Sequence, residues 1–134
     1  MTAVVADTHT TIWYLRESSR LSESALTALD AATQAGKPIY VTTITLVEVA
    51  YLVEKFRLPE SAWEELVDSI AQEDSSLTVV PLSLAISMAI RQIPRETVPE
   101  MPDRIIAATA LSLNLPLVTR DLKIQALTNL KTIW

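Results

Sequence analysis

Cysteine is absent from this chain of 134 residues, histidine occurs once, at His9, and glycine once, at Gly36. Without cysteine there is no disulfide and no thiolate nucleophile, and one imidazole cannot furnish a zinc site that needs Cys or several His ligands. A single glycine excludes the phosphate-binding P-loop and the dinucleotide fingerprint, each of which needs more than one. It also excludes the Gly-x-Ser-x-Gly elbow of a serine hydrolase. Long apolar runs are missing too. The stretches from Leu82 to Ile90 and from Ile105 to Val118 are interrupted by Ser, Thr or Asn and fall short of a bilayer span. The first residues, Met1 to Asp7, lack the basic region and long apolar stretch of a signal peptide. These absences lead us to expect a cytoplasmic protein with no membrane partner.

Hydrophobic residues make up 49% of the chain and charged residues 20%, enough apolar material for a core and too much for disorder. The length suits one compact domain spanning residues 1–134, since two domains would each have an undersized core. The net charge of −5 counts against a nucleic-acid partner, because phosphate binding ordinarily calls for a basic face.

Apolar runs alternate with helical periodicity along the chain. Ala3 to Ala6 reads as a buried strand ending at Asp7, followed by a short helix over Thr8 to Leu15. Ser22 is placed to cap a helix over Glu23 to Ala35 that Gly36 stops. Pro38 to Thr42 is rich in strand formers and gives the second strand, and Thr45 to Lys55 gives the next helix. Pro59 opens a helix to about Gln72, and Leu77 to Val80 is a third strand stopped by Pro81. A helix over Leu82 to Arg91 leads to a proline-bearing loop, Ile93 to Pro102. Pro102 suits the first turn of a helix reaching Leu113, with Asn114 as its C-cap. Leu115 to Thr119 is the fourth strand, then a short helix near Leu122 to Leu127 and a closing strand, Lys131 to Trp134. The alternation predicts an α/β fold in which helices cover both faces of a parallel sheet of four to five strands.

In such sheets ligands bind beyond the carboxyl ends of the strands. Asp7 directly follows the first strand, Glu48 lies in the turn after the second, and Asp121 lies two residues after the fourth. Asp103 opens the helix that precedes the fourth strand. Each has a local explanation when taken alone. Glu48 completes a capping box with Thr45, Asp103 complements a helix dipole, and Asp7 and Asp121 suit turns. As a group they repel one another, so a fold that gathers them needs cations. An all-oxygen donor set without Cys suits Mg2+ or Mn2+. Two such ions about 4 Å apart can activate a water and stabilise the leaving oxygen of a phosphodiester. Neutralising four carboxylates would bring the net charge from −5 to −1 and leave Arg104, Arg120 and Lys123 to meet phosphates.

Four segments carry a family likeness. They are Val4-Val5-Ala6-Asp7-Thr8-His9, Thr42-Thr43-Ile44-Thr45-Leu46-Val47-Glu48-Val49-Ala50, Met101-Pro102-Asp103-Arg104-Ile105-Ile106-Ala107-Ala108-Thr109-Ala110, and Leu115-Pro116-Leu117-Val118-Thr119-Arg120-Asp121. With these the chain resembles the PIN-domain proteins over essentially its whole length, and among them the VapC-type toxins of type II toxin–antitoxin pairs. The last two segments at their spacing are the specific part. The resemblance implies a three-layer α/β/α fold and cleavage of RNA, with one or two Mg2+ or Mn2+ ions held by Asp7, Glu48, Asp103 and Asp121. It implies that Thr119 supports the site by hydrogen bonding, that the protein is a homodimer, and that a cognate antitoxin lays its tail across the active-site groove. Thr42 and Thr45 stand where the family often has serine.

His9, beside Asp7, is expected to be structural rather than a proton carrier or RNA contact. Trp13, Trp63 and Trp134 are each capable of stacking on a base, with Trp63 assigned to the core or a partner and Trp134 to the last strand. Two other function classes compete. A receiver-type signalling domain expects an acidic pair after the first strand and a phosphorylatable Asp after the third, where this chain has Asp7 alone and Val80-Pro81. A catalytically silent PIN-fold binding module is countered by the intact set of four acids.

Overall fold

The computed structural model describes residues 2–134. Five strands form one sheet in which every pairing is parallel: β1 (Val4–Ala6), β2 (Ile39–Thr42), β3 (Leu77–Val80), β4 (Leu117–Val118) and β5 (Thr132–Ile133), in the spatial order β3-β2-β1-β4-β5. Between them run α1 (Thr8–Leu15), α2 (Glu23–Gln34), α3 (Thr43–Glu54), α4 (Glu60–Ala71), α5 (Leu84–Ala89), α6 (Met101–Leu113) and α7 (Leu122–Gln125). The expected α/β/α layering is therefore present, with the fifth strand included.

Side chains alternate across a strand, and here the alternation separates two cores. Val4, Ala6, Ile39 and Val41 pack with α1, α2, α3 and α4 on one face. Val5, Tyr40 and Leu117 pack with α5, α6 and α7 on the other. Sheets of this kind need apolar strands because neither face meets water, and β1 (Val-Val-Ala) is buried at all three positions.

Local signals set most boundaries. Ser22 accepts a hydrogen bond from the Ala25 amide at the start of α2, and Gly36, just beyond its end, takes a positive φ of 69°. Asn114 ends α6 in the left-handed conformation, and Pro102 lies within its first two positions, where its missing N–H costs nothing. Several boundaries differ from the expectation, with β4, α7 and β5 each shorter than the expected Leu115 to Thr119, Leu122 to Leu127 and Lys131 to Trp134. Helix α3 begins at Thr43, two residues early, because β-branched residues are tolerated in a first turn that has no preceding turn to crowd them. The expected helix over Leu82 to Arg91 is shorter: Ser83 caps α5 at the Ile86 amide, and the chain tightens to a 3-10 turn at Ile90–Gln92.

Candidate active site

Strands β2 and β3 lie on one side of β1, and β4 and β5 on the other. Chain connections diverge at the β1–β4 junction, which opens a crevice past the strands' carboxyl ends. Asp7 leaves β1 there and is buried at 8% exposure. It is the N-cap of α1, its Oδ1 accepting from the Thr10 amide at 2.9 Å. Its Oδ2 accepts from the Thr119 hydroxyl at 2.5 Å. Thr119 is fully buried just after β4, and its oxygen in turn accepts from the Asp121 amide at 3.0 Å. One hydroxyl thus ties two of the acids together across the junction. Asp121 caps α7, with Oδ1 accepting from the Lys123 and Ile124 amides, which leaves Oδ2 outside the cap.

Glu48 approaches from α3. The capping box expected with Thr45 does not form, because the helix starts at Thr43 and Thr42 at its N-cap makes no side-chain cap bond. Instead the Thr8 hydroxyl donates to Glu48 Oε1 at 2.5 Å and lies 3.1 Å from the buried Thr45 hydroxyl. Burial chiefly pushes the Glu48 carboxyl above its ordinary pKa. The Thr8 hydrogen bond and His9 pull it down, and Asp7 adds to the rise. Asp103 enters from the first turn of α6 and is raised from 3.8 to about 6. Burial is the main cause, followed by the negative charges of Asp121, Glu48, Asp7 and Glu100. A carboxyl destabilised by four neighbouring acids, three of them in the expected set, marks a shared electrostatic site.

All four acids line one cavity of about 650 Å³. Among the described residues, no three of them converge closely enough to hold one metal ion as the side chains stand. The donor set nevertheless suits a hard divalent cation, being made of carboxylates and hydroxyls with no sulfur. Basic and aromatic residues line the same cavity: Arg20, Arg120, Lys123, His9 and Trp13.

Four residues depart from the sequence reading or were absent from it. Arg104 was expected at the site, but its guanidinium donates to the Ile90 and Ile93 carbonyls and holds the 93–100 loop against α6. Consecutive helical residues point about 100° apart, so with Asp103 facing the cavity Arg104 must face elsewhere. His9, expected to be structural, is exposed on the cavity wall with its ring 5.5 Å from that of Trp13. Arg20 was not foreseen, since nothing in a loop thirteen residues past Asp7 signals that it folds back to the site. Thr8 was also missed, although a hydroxyl directly following Asp7 was the available clue. Trp63 packs against the first core, and Trp134, just past β5, lies tilted against Trp13 with ring centroids 5.9 Å apart.

A family model described as the PIN domain matches residues 4–130. A curated relative, Ribonuclease VapC22 of Mycobacterium tuberculosis, is 28% identical over 130 residues, covering 94% of this chain and 92% of that protein. Among solved structures, VapBC2 from Rickettsia felis bound to a promoter DNA fragment superposes with a TM-score of 0.72 at 19% identity. The DNA-bound VapBC of Salmonella typhimurium gives 0.71 at 22%. In both cases the match covers 98% of this chain and 97% of the other. At these identities the superpositions speak to the fold. No described helix is long and apolar enough to cross a membrane.

Proposed function

The chain belongs to the PIN-domain family, and from that premise we propose that it is a metal-dependent endoribonuclease, the toxin of a type II toxin–antitoxin pair. The observation that carries the reading is the meeting of Asp7, Glu48, Asp103 and Asp121 in one cavity at the β1–β4 junction. The relative named a ribonuclease, matched over nearly the whole chain, supports the substrate class. The fold shared with toxin–antitoxin complexes supports a cognate antitoxin as partner. A homodimer belongs to the same proposal.

The reaction adds water across a phosphodiester: an oxygen–phosphorus bond forms, another breaks, and the leaving oxygen takes a proton. Asp7, Glu48, Asp103 and Asp121 would hold one or two Mg2+ or Mn2+ ions, which supply an acidified water and charge to offset the leaving oxygen. The chain's own contribution is to fix its ligands. Thr119 holds Asp7 Oδ2 and Thr8 holds Glu48 Oε1, so both carboxylates are oriented before any cation arrives. Arg20, Arg120 and Lys123 offer positive charge to the phosphates, which answers the objection raised by the net charge of −5.

The separation of the acids favours one other reading, a PIN-fold module that binds RNA or protein without cutting. Purified protein incubated with a mixed RNA pool separates the two. Cutting in Mg2+ or Mn2+ that stops in EDTA is expected. RNA retained intact with either metal would favour the binding module.

A further inference from the structure

Besides the four acids, the cavity is lined by an indole among cations. Trp13 is half-buried, packs inward against the first core and against Trp134, and still lines the cavity. The Arg120 guanidinium carbon lies 5.9 Å from the Trp13 ring centre, and His9 is tilted against the same ring. A side chain anchored by core packing has already lost most of its rotamer freedom, so a planar ligand laid on it costs little further ordering. Arg120 lies over the indole with no described hydrogen bond on its charged end, so it can swing off the ring to a phosphate oxygen and leave that face to a base.

We infer that Trp13 is the stacking platform for a nucleobase next to the scissile phosphate, with Arg120 holding the adjoining phosphate. This rests on the ribonuclease reading and adds a substrate-binding residue to it. A nucleotide needs a flat apolar surface for its base and positive charge for its phosphate, and the cavity that holds the acids also supplies both. Stacking accepts any base, since each has a π-face. Trp13 therefore contributes binding and register, and leaves base choice to other contacts.

The test uses the full-length protein and a short RNA whose cut site has been mapped from the pool assay, with versions carrying a single abasic ribose at each flanking position. Trp13→Ala is expected to raise KM about tenfold with kcat within about twofold, and Trp13→Phe to restore most of the loss. One abasic position should weaken the wild type by a similar factor and have no effect on Trp13→Ala. The wild-type half of that second arm needs no variant, so a misfolded alanine variant does not rescue the idea. If wild-type protein cuts all abasic RNAs as well as the parent, or if Trp13→Ala keeps its KM, the platform is overturned while the nuclease reading stands. Absence of cutting by the wild type would remove both.

Discussion

The acidic and the basic parts of the cavity lining are built on opposite plans. The acidic wall is held by buried threonines: Thr119 and Thr45 are fully buried and Thr8 nearly so; the Thr119 and Thr8 hydroxyls bond Asp7 and Glu48, and Thr45 bonds Thr8. On the basic wall Arg20, Arg120 and Lys123 are exposed, and no described hydrogen bond fixes their charged ends. The contrast follows from the chemistry asked of each. Carboxylates that gather cations must be placed before the cation binds, because their mutual repulsion would otherwise disperse them. Cations that track a polyanion gain from long, adaptable side chains. Rigid wall and adaptable wall should therefore respond differently to substitution.

The largest effect is expected at Asp7. Asp7→Asn removes a charge from the centre of the acid set, and RNA cleavage should fall about a thousandfold, worth several kcal/mol of charge stabilisation. A loss under tenfold would mean that the acidic wall is not the reacting one. Thr119→Val comes next. It leaves Asp7 Oδ2 and the Asp121 amide without their shared hydroxyl, so activity should drop about 10- to 100-fold and stability by about 1–3 kcal/mol. Denaturant melts read alongside the cleavage rate would show both losses together.

Asp103 sharpens the comparison through pH. Its carboxyl is raised from 3.8 to about 6 on folding, so the native state holds that proton more tightly than the unfolded chain. The stability linked to it is fully present below about pH 4 and is lost as pH rises through about 6. In EDTA, Asp103→Asn should therefore stabilise the protein at pH 7.5 by roughly 1–2 kcal/mol, a figure reduced for partial exposure, and gain nothing near pH 4. An equal gain at both pH values would point to packing instead of charge. The smallest effects separate two arginines. Arg104→Ala should lower stability by about 1–3 kcal/mol through its lost carbonyl contacts and leave kcat and KM alone at permissive temperature. Arg120→Ala should spare the melting temperature, raise KM a few-fold and reduce the salt slope of RNA binding by about one.

Those arginines also show how far the sequence could be read. Periodicity, caps and strand-forming runs located every strand and helix of the sheet, because burial on both faces makes each strand nearly continuous in apolar residues. The acids were legible because Asp7, Glu48 and Asp121 lie within one or two turns past strand ends. Arg104 was misplaced because adjacency to Asp103 was taken as proximity to the site, whereas the next residue on a helix points about 100° away, and Arg20 was missed because loops carry no periodicity to extrapolate. The Thr45–Glu48 box failed for a related reason. A two-residue shift in the start of α3 took Thr45 away from the cap and turned it toward Thr8, and helix ends are where local pattern fixes position least.

If Asp7, Glu48, Asp103 and Asp121 act as one cation site, calorimetric titration of Mn2+ into EDTA-stripped, dialysed protein at pH 7.5 shows it directly. The expected result is saturable binding of one or two ions per chain, weakened at least about tenfold in Asp7→Asn. No measurable Mn2+ binding, or binding identical in the Asp7→Asn variant, would contradict it.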